Sequence, residues 1–266
     1  MTEMFEELYE KLTPQDREAY LERIGLTGLP LKGDLETLNR VLYAHVHHIP
    51  FENLDAWDRG HCPSLAVRDL FNKMILHRRG GWCHELNALL HVFLESLGYE
   101  VYSVGGRVTA DLDFVAPIGH HAVICVLDGK KYYCDVGYGD ISFQSAIPFD
   151  GTPTPFGFHM EKHGDWYEIW RDFGRAMKMV TFVDVAYEPV DFLFANYANA
   201  TNPHEPFCSM LYVTIMNSGK RILLHNNVLT EQGDGPKTVL AEIQERAGLT
   251  SILKEYFDIE YEVLPK

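Results

Sequence analysis

One cysteine in this chain stands where a nucleophile could form. Cys83 follows two glycines in the run RGGWCHELN of residues 79–87, and apolar residues then recur at helical spacing from Leu86 to Leu97. Cys83 is therefore expected in the first turn of a buried helix, where unpaired N–H groups and the positive end of the helix dipole stabilise a thiolate. A buried cysteine is more often a small hydrophobic residue, but the two glycines bring backbone close to this sulfur. We predict that Cys83 is a nucleophile.

A reactive thiol needs a base, and the base needs an acid that orients it. The chain has 13 histidines, so position must choose among them. The pair Asp128-Gly129 predicts a tight hairpin turn, with His121 seven residues before Asp128 and Asp135 six residues after Gly129. The two are roughly in register, which predicts an imidazole–carboxylate hydrogen bond. His120 is the competing candidate, because neighbouring strand side chains point to opposite faces and only one can reach the sulfur.

Two further features could support such a site. Gly137-Tyr138-Gly139 follows Asp135 directly and is a flexible backbone segment that could lie against a ligand. An arginine beside a buried helix start needs a carboxylate, and we predict that Arg79 is bidentate to Glu52 and supports the loop before Cys83. No paired cysteine or histidine spacing indicates a zinc site, and neither glycine pair has the spacing of a phosphate loop. The sequence therefore predicts thiol chemistry without a metal.

Three parts of the chain differ in their periodicity. Residues 1–98 predict a helical lobe, with helices that start after Thr13, Asp34 and Ser64 and near Cys83. Alternating apolar runs within residues 99–203 predict a sheet or small barrel, and residues 204–266 an α/β end piece. The predicted strands are 101–106, 121–127, 131–136, 166–171, 179–185, 211–216 and 221–224, and the later helices are 192–197, 236–247 and 251–257.

Composition excludes several classes of protein. The 266 residues are 46% hydrophobic and 23% charged, which is typical of a soluble globular protein. A net charge of -15 argues against binding to nucleic acid or to an anionic membrane. The N-terminus lacks the pattern of a signal peptide, and no apolar run reaches transmembrane length. Five cysteines without framework spacing indicate a reduced, cytoplasmic protein.

Four ordered segments resemble motifs of the arylamine N-acetyltransferases. Residues 79–87 resemble the R-G-G-x-C-x-E-x-N motif of that family, and residues 48–54, HIPFENL, resemble its [IV]-P-F-E-N-L segment. His121-x-x-Ile124-x-Val126 is similar to the family's histidine strand, and residues 135–139, DVGYG, to its D-V-G-[FY]-G motif. The resemblance spans residues 48 to 139 and is weak beyond about residue 200.

The resemblance implies an α+β fold with a helical N-terminal lobe, a central β-barrel and a C-terminal α/β lid, around a cysteine-proteinase-like triad core. It also implies a ping-pong reaction. Acetyl-CoA would acetylate Cys83, and the thioester would pass its acetyl group to an arylamine, arylhydroxylamine or hydrazine. Cys83, His121 and Asp135 would form the triad. The other implied site residues are Gly137, Tyr138 and Gly139 for the cofactor, and Arg79, Glu52, Glu85 and Asn87 for support.

The chain departs from the family pattern at two places near the site. Asp140 stands where a glycine commonly follows the D-V-G-[FY]-G motif, which puts a negative charge where CoA is expected to pass. Trp82 and His84 flank the cysteine where other aromatic residues are more usual, which predicts a reshaped acceptor pocket. The region after the predicted barrel is also short for the family.

Three other functions fit parts of the same pattern. An amide synthase that closes macrolactams would use the same fold and the same three residues. The order Cys–His–Asp also fits papain-like or transglutaminase-like enzymes that act on peptides. A binding protein that keeps the three residues only for its fold is the third alternative. A neighbouring polyketide synthase cluster would favour the amide synthase. Hydrolysis of peptides, compared with acetyl transfer to an aniline, tests the peptide-directed enzymes, and rapid alkylation of Cys83 near neutral pH would count against the binding protein.

Overall fold

The structure, a computed structural model, describes residues 5–110, 112, 114–139, 142–172, 174–233 and 235–264. Helices precede a large sheet, and a smaller sheet with one helix follows. The α-helices in these residues are α1 Pro14–Arg23, α2 Leu35–His48, α3 Leu54–Arg59, α4 Val67–Phe71, α5 Cys83–Ser96, α6 Phe192–Thr201, α7 Pro206–Ser209 and α8 Gly248–Phe257. The strands are β1 Phe51–Glu52, β2 Glu100–Val108, β3 His120–Leu127, β4 Lys130–Cys134, β5 Ile147–Pro148, β6 Phe158–His163, β7 Trp166–Asp172, β8 Ala176–Val183, β9 Tyr212–Asn217, β10 Lys220–His225, β11 Val228–Gln232 and β12 Thr238–Glu242.

The helix starts follow local capping chemistry. Thr13 and Asp16 form a capping box at α1, in which the Asp16 carboxylate accepts the Thr13 N–H at 2.8 Å. The Asp34 carboxylate accepts the Thr37 N–H at 2.8 Å and caps α2. The predicted cap at Ser64 is wrong: its hydroxyl accepts the N–H of Ala66 within a turn, and α4 begins only at Val67. Beyond α4 the chain winds as a wider π-helical turn over 72–76.

The larger sheet forms a nearly closed barrel. Its seven strands are antiparallel in the order β5-β4-β3-β2-β8-β7-β6, and the end strands β5 and β6 contact each other. The predicted turn at Asp128-Gly129 joins β3 to β4, and both residues have positive φ, 50° and 73°, as a two-residue hairpin requires. The side chains of Ala122, Ile124 and Tyr133 are in the core inside the barrel.

The smaller sheet joins the helical region to the C-terminal part of the chain. Its order is β1-β9-β10-β11-β12, so the short strand β1, from the helical region, pairs with β9. The predicted hairpin at 217–220 connects β9 to β10. A helix predicted at 236–247 is wrong, because residues 238–242 form the edge strand β12. Short apolar runs do not distinguish the two structures, and Thr238 and Val239 are β-branched residues that suit a strand.

Helices α1, α2, α4 and α5 pack on the outside of the barrel against β3 and β4. The smaller sheet packs on α8 in a separate core that includes Leu224, Leu253 and Phe257. The architecture of helical lobe, barrel and α/β lid expected from the sequence is thereby confirmed. In the part of the chain that the structure describes, no helix combines the length and apolar character needed to cross a bilayer.

Candidate active site

Cys83 lies where the sequence predicts it, at the first residue of α5. Glu85 holds this helix start, because its carboxylate accepts the N–H of Trp82 at 3.2 Å. The Cys83 residue is only 5% exposed. Gly137 packs against it so closely that a Cβ there would lie 2.6 Å from Cys83 Cα, which explains why this position needs glycine. The sulfur thus lies at the start of a buried helix, against the loop that follows β4.

The imidazole that meets Asp135 belongs to His120. Its Nε2 lies 2.7 Å from Asp135 Oδ2, and the ring also lies near enough to Cys83 to lower the pKa of that thiol. The predicted hydrogen bond between His121 and Asp135 is wrong. His121 instead bonds through Nε2 to the Ser103 hydroxyl at 2.8 Å, and its ring stacks on Phe192 with centroids 3.8 Å apart. Cys83, His120 and Asp135 form a continuous line of polar contacts.

The exact register of the hairpin explains this correction. Val123 pairs with Cys134, and one more step along the same ladder sets Ala122 opposite Asp135. Side chains two residues apart share a face, so Asp135 shares its face with His120, on the barrel side. His121 lies seven residues before Asp128 and Asp135 six residues after Gly129, so the two counts from the turn differ by one. A one-residue slip in register moves a side chain to the opposite face of its strand. His121 therefore faces α5.

Asp135 is held by donors from three directions. Its Oδ1 accepts the Asn87 side-chain N–H and the Gly137 backbone N–H, each at 2.8 Å, and its Oδ2 accepts the Tyr133 hydroxyl at 3.1 Å. Asn87 also donates to the His121 carbonyl at 2.6 Å. These bonds fix a fully buried carboxylate in one orientation. Asn87 thereby ties helix α5 to the strand that carries the histidine.

The electrostatics favour an ion pair between thiolate and imidazolium. Burial opposes ionisation of Cys83, but His84 and His120 outweigh it and lower the pKa of the thiol to about 5. Burial also opposes a charge on His120, but Asp135 outweighs it and raises the pKa of that imidazole to about 10. Because their charges interact, we expect the two groups to titrate as a coupled pair. Burial and the neighbouring imidazoles keep the pKa of His121 well below its usual range, so that ring is neutral.

A buried ionic network holds the loop before Cys83. Arg79 Nε and one terminal nitrogen reach the same Glu52 oxygen at 2.9 and 2.7 Å, so the predicted pair is present. The network is larger than predicted, because Arg79 also donates to Asp55 at 3.0 Å. Lys73 donates to Asp55 at 2.5 Å and to Glu85 at 2.7 Å. The sequence signal for Lys73 is a cation in a mostly apolar helical run, LFNKMIL of residues 70–76.

A cleft with mostly apolar walls adjoins the ionisable residues. Its volume is about 320 Å³, and Tyr138 and Gly139 are part of its wall. The Tyr138 ring also meets the His120 ring edge-on, with centroids 6.0 Å apart. Gly139 has φ +83° and rests on the Phe51 ring, so a side chain would not fit there. The other residues around the cleft are Phe51, Val108, Ala110, Pro206, Phe207, Met210, Tyr212 and His225.

Other predicted or possible ligand-binding groups lie elsewhere. Asp140 is outside the described residues. Among those described, one group of side chains has the spacing to hold a metal ion, Glu161, His163 and Glu168 on the β6–β7 hairpin, and Glu168 is already paired with Lys178 at 2.9 Å. None of these residues belongs to the Cys83 cluster.

Known proteins share this sequence and this fold. A sequence model described as N-acetyltransferase matches residues 34–264. The chain is 33% identical to an arylamine N-acetyltransferase of Mycolicibacterium smegmatis over 255 residues, 88% of this chain and 92% of that protein. The arylamine N-acetyltransferase of Nocardia farcinica has a TM-score of 0.83 at 29% identity, over 94% of this chain and 90% of that one. A Mycobacterium marinum arylamine N-acetyltransferase, solved in complex with CoA, has a TM-score of 0.82 at 24% identity, over 91% and 92%. The chain belongs to the arylamine N-acetyltransferase family.

Proposed function

We propose that this protein transfers an acetyl group from acetyl-CoA, through a thioester on Cys83, to an arylamine, arylhydroxylamine or hydrazine. The observation that carries the proposal is the line of contacts from the Cys83 sulfur through His120 to Asp135. The 2.7 Å contact between His120 and Asp135 and the lowered pKa of Cys83 suit a nucleophile, a general base and an orienting acid. The family membership supports acetyl transfer as the reaction.

The first half-reaction uses the ion pair. The Cys83 thiolate attacks the acetyl carbonyl, a C–S bond forms, and the bond to the CoA sulfur breaks. The His120 imidazolium gives its proton to the departing CoA thiolate, while Asp135 holds the ring in one tautomer and orientation. Backbone N–H groups in the first turn of α5 have no intrahelical acceptors and can stabilise the oxyanion that forms beside the sulfur.

The second half-reaction reverses the proton transfer. The amine attacks the thioester, neutral His120 takes a proton from the amine nitrogen, and the C–S bond breaks to restore the thiolate. Because His120 must be neutral here and charged before acylation, it is the residue that moves protons in both halves. His121 has no part in this mechanism, since its ring bonds to Ser103 on the other face of β3.

The cleft beside Tyr138 is the proposed acceptor site. Its walls carry the aromatic rings of Phe51, Phe207 and Tyr212, and a mostly apolar cleft with a few polar groups suits a flat aromatic amine. Its volume of about 320 Å³ lies at the lower end of ordinary ligand pockets. A small aromatic amine or hydrazine is therefore a better fit than a macrolactam precursor or a peptide.

CoA is the proposed acetyl carrier, and its nucleotide part is expected to bind weakly. The pantetheine arm would pass Gly137, Tyr138 and Gly139 to reach Cys83. Lys220 and Arg221 on β10 are the basic residues that we consider for the nucleotide, and both already have partners: Lys220 pairs with Glu231 at 2.7 Å, and Arg221 donates to Gln232 at 2.8 Å. The M. marinum relative solved with CoA supports the choice of carrier. A cytoplasmic location and a role in the metabolism of foreign amines stay predictions.

An assay of free CoA tests the proposal. The protein is incubated with acetyl-CoA, alone and with aniline-type or hydrazine acceptors, and the thiol released is measured. We expect steady release that depends on the acceptor, and none from Cys83→Ala. A panel of peptides gives the comparison, because hydrolysis of peptides without acetyl transfer to any amine would contradict the proposal and favour the peptide-directed alternative.

A further inference from the structure

A second imidazole contacts the sulfur of Cys83. His84 is the next residue of α5, and its Nδ1 lies 3.6 Å from the Cys83 Sγ. The His84 side chain has no measurable exposure to solvent. The line from Cys83 through His120 to Asp135 does not use this ring.

The two imidazoles reach the sulfur from different sides. His120 lies on the barrel face of β3, together with Asp135. His84 lies on the other side of the strand, where its ring centroid is 6.4 Å from that of His121 and 6.0 Å from that of Phe192. His120 and His121 are neighbours on one strand and point to opposite faces. The Cys83 sulfur therefore lies between His84 and His120.

We propose that His84 is a further catalytic residue, which donates a hydrogen bond from Nδ1 to the Cys83 sulfur when that sulfur is a thiolate. The proposal extends the proposed acetyl transfer by giving its nucleophile a second partner. His120 exchanges protons with the donor and the acceptor. His84 keeps its proton and stabilises the negative sulfur at the start and the end of each turnover.

The hydrogen-bonding possibilities determine the tautomer of His84. A thiolate accepts hydrogen bonds and cannot donate them, so Nδ1 must carry the proton in this contact. A charge-assisted bond of this kind is roughly twice as strong as a neutral one. The other tautomer would aim the Nδ1 lone pair at the anion and leave an N–H at Nε2, which is buried and has no partner among the described residues. The Nδ1–H form is the one that the surroundings favour.

The remaining ionisable groups near the sulfur do not replace His84. His84 acts together with His120 to lower the pKa of Cys83 against the effect of burial. His121 stays neutral behind it. Of the other titratable groups around the site, Asp135 and Tyr138 meet the His120 ring, Tyr133 donates to Asp135, and His121 lies beside His84. On α5, Glu85 pairs with Lys73 and His91 bonds to Ser103.

A second donor on the sulfur affects the second half-reaction most. There the Cys83 sulfur is the leaving group, and a thiol with a lower pKa leaves faster. As the amine attacks, the C–N bond forms, the C–S bond breaks, the electron pair goes to the sulfur, and the amine proton goes to His120. A donor at His84 stabilises that electron pair as the C–S bond breaks. In the first half-reaction, a lower pKa increases the fraction of Cys83 that is thiolate but lowers the intrinsic nucleophilicity of that thiolate. The two effects on the rate of acylation partly cancel.

A pair of nearly isosteric variants tests the proposal without any acyl donor. His84→Asn places an amide N–H near the position of Nδ1, and His84→Leu has almost the same shape without a donor. Iodoacetamide alkylation across pH, with ultraviolet thiolate absorbance, gives the apparent pKa of Cys83. We expect the midpoint in His84→Leu to rise by about one unit or more, a tenfold loss of thiolate at mildly acidic pH, and to stay near the wild-type value in His84→Asn.

The controls make the result specific to His84. His91→Phe removes an imidazole from the same helix that bonds to Ser103 and not to the sulfur, and its midpoint should match the wild type. Thermal melting checks that each variant folds, and His84→Phe, which keeps the ring size, serves if leucine is not accommodated. A midpoint in the folded donor-free variant that equals the wild-type value would overturn the proposal.

A kinetic measurement separates this inference from the proposed function. With an aryl acetate, phenol release reports acylation, and decay of the thioester after addition of an aniline reports deacylation. His84→Leu should slow deacylation more than acylation, and an equal effect on both would contradict the leaving-group role. If wild-type Cys83 never becomes acetylated, the proposed function fails, while the alkylation profile still decides whether His84 acts on the thiol.

Discussion

The five thiols of the chain differ in the charges around them. Burial raises the pKa of Cys125 to about 12 and raises that of Cys134 well above its usual value, because burial disfavours the charged thiolate. Cys83 is as deeply buried, yet two imidazoles and the start of a helix stabilise its anion. Reactivity at this position follows from the neighbours of the sulfur and not from its exposure.

This difference predicts selective alkylation. A lowered pKa means that the Cys83 thiolate is present above about pH 5, whereas burial raises the pKa of Cys62 and of Cys208 above the ordinary thiol value. Iodoacetamide at roughly pH 6, below the free thiol value of about 8.5, should modify Cys83 first. Peptide mapping by mass spectrometry identifies the modified residue. Earlier reaction at Cys62 or Cys208 would exclude Cys83 as the most acidic thiol.

The two adjacent histidines predict opposite phenotypes. His120→Gln removes the base and should abolish acetyl transfer in a protein that still folds. Asp135→Asn should cost about four orders of magnitude in rate, because the amide cannot hold the same imidazole tautomer. His121→Gln should keep most of the rate and lose about 1–3 kcal/mol of stability, since it disturbs a buried hydrogen bond and a stacked ring. An active His120→Gln beside an inactive His121→Gln would reverse the assignment.

At the scale of elements, the ionic network joins four segments around Cys83. Glu52 lies on β1, Asp55 on α3, Lys73 in the turn beyond α4, and Glu85 in the first turn of α5. Arg79 reaches the first two and also lies over the ring of Tyr261, near the C-terminus, at 4.7 Å. The loop that sets the position of the sulfur is therefore fixed by charges from its own lobe and by one ring from the end of the chain.

Loss of the Arg79 cation should lower the free energy of unfolding more than it lowers the catalytic rate. Arg79→Met leaves the fully buried Glu52 carboxylate without its main partner, which typically costs about 3–5 kcal/mol. The rate per folded molecule should change less, because Arg79 does not touch the reacting atoms. Arg78→Met is the matched control, since its pair with Asp258 is about half exposed and should contribute about 0–1 kcal/mol. Denaturant titration measures both, and equal losses would refute the buried network as a structural support.

The sequence predicted those elements whose signals are local. The caps at Thr13 and Asp34, the turns at 128–129 and 217–220, and the helix that starts at Cys83 are set by neighbouring residues, and all are confirmed. Which face of β3 carries a given side chain depends on the register of the hairpin, and counting residues from the turn fixes that register only to within one residue. For this reason the sequence favours His121, the wrong histidine, as the partner of Asp135. The sequence does not predict strand β12, because a short apolar run fits a helix as well as a strand. It does not predict the role of Lys73, because the carboxylates of Asp55 and Glu85 that Lys73 contacts come from other elements.

At the scale of the whole molecule, charge opposes the proposed donor. The chain carries a net charge of -15, and CoA carries several phosphate charges. Lys220 and Arg221 are engaged with side chains of β11. Binding of the nucleotide half is therefore expected to add little energy, so that most recognition falls to the pantetheine arm and the thioester.

Higher ionic strength should therefore strengthen the binding of acetyl-CoA and leave the binding of an uncharged acetyl donor unchanged. Added salt screens repulsion between exposed charges, with a screening length of about 10 Å at 0.1 M. KM for acetyl-CoA should fall as ionic strength rises, whereas KM for an aryl acetate stays constant. A pantetheine thioester that lacks the nucleotide should acylate Cys83 nearly as well as acetyl-CoA. A KM for acetyl-CoA that rises with ionic strength, or a strong preference for acetyl-CoA over the pantetheine thioester, would indicate a nucleotide-binding site. Either result would contradict weak binding of the nucleotide.

The acetyl-enzyme itself is the most direct test of the central claim. The protein is mixed with acetyl-CoA in the absence of acceptor, quenched in acid, and analysed as intact protein and as peptides by mass spectrometry. The proposed mechanism predicts one acetyl group, on Cys83, that disappears when an arylamine is added and never forms in His120→Gln. Acetylated amine produced without any acetyl group on Cys83, or with the group on another residue, would contradict transfer through a Cys83 thioester.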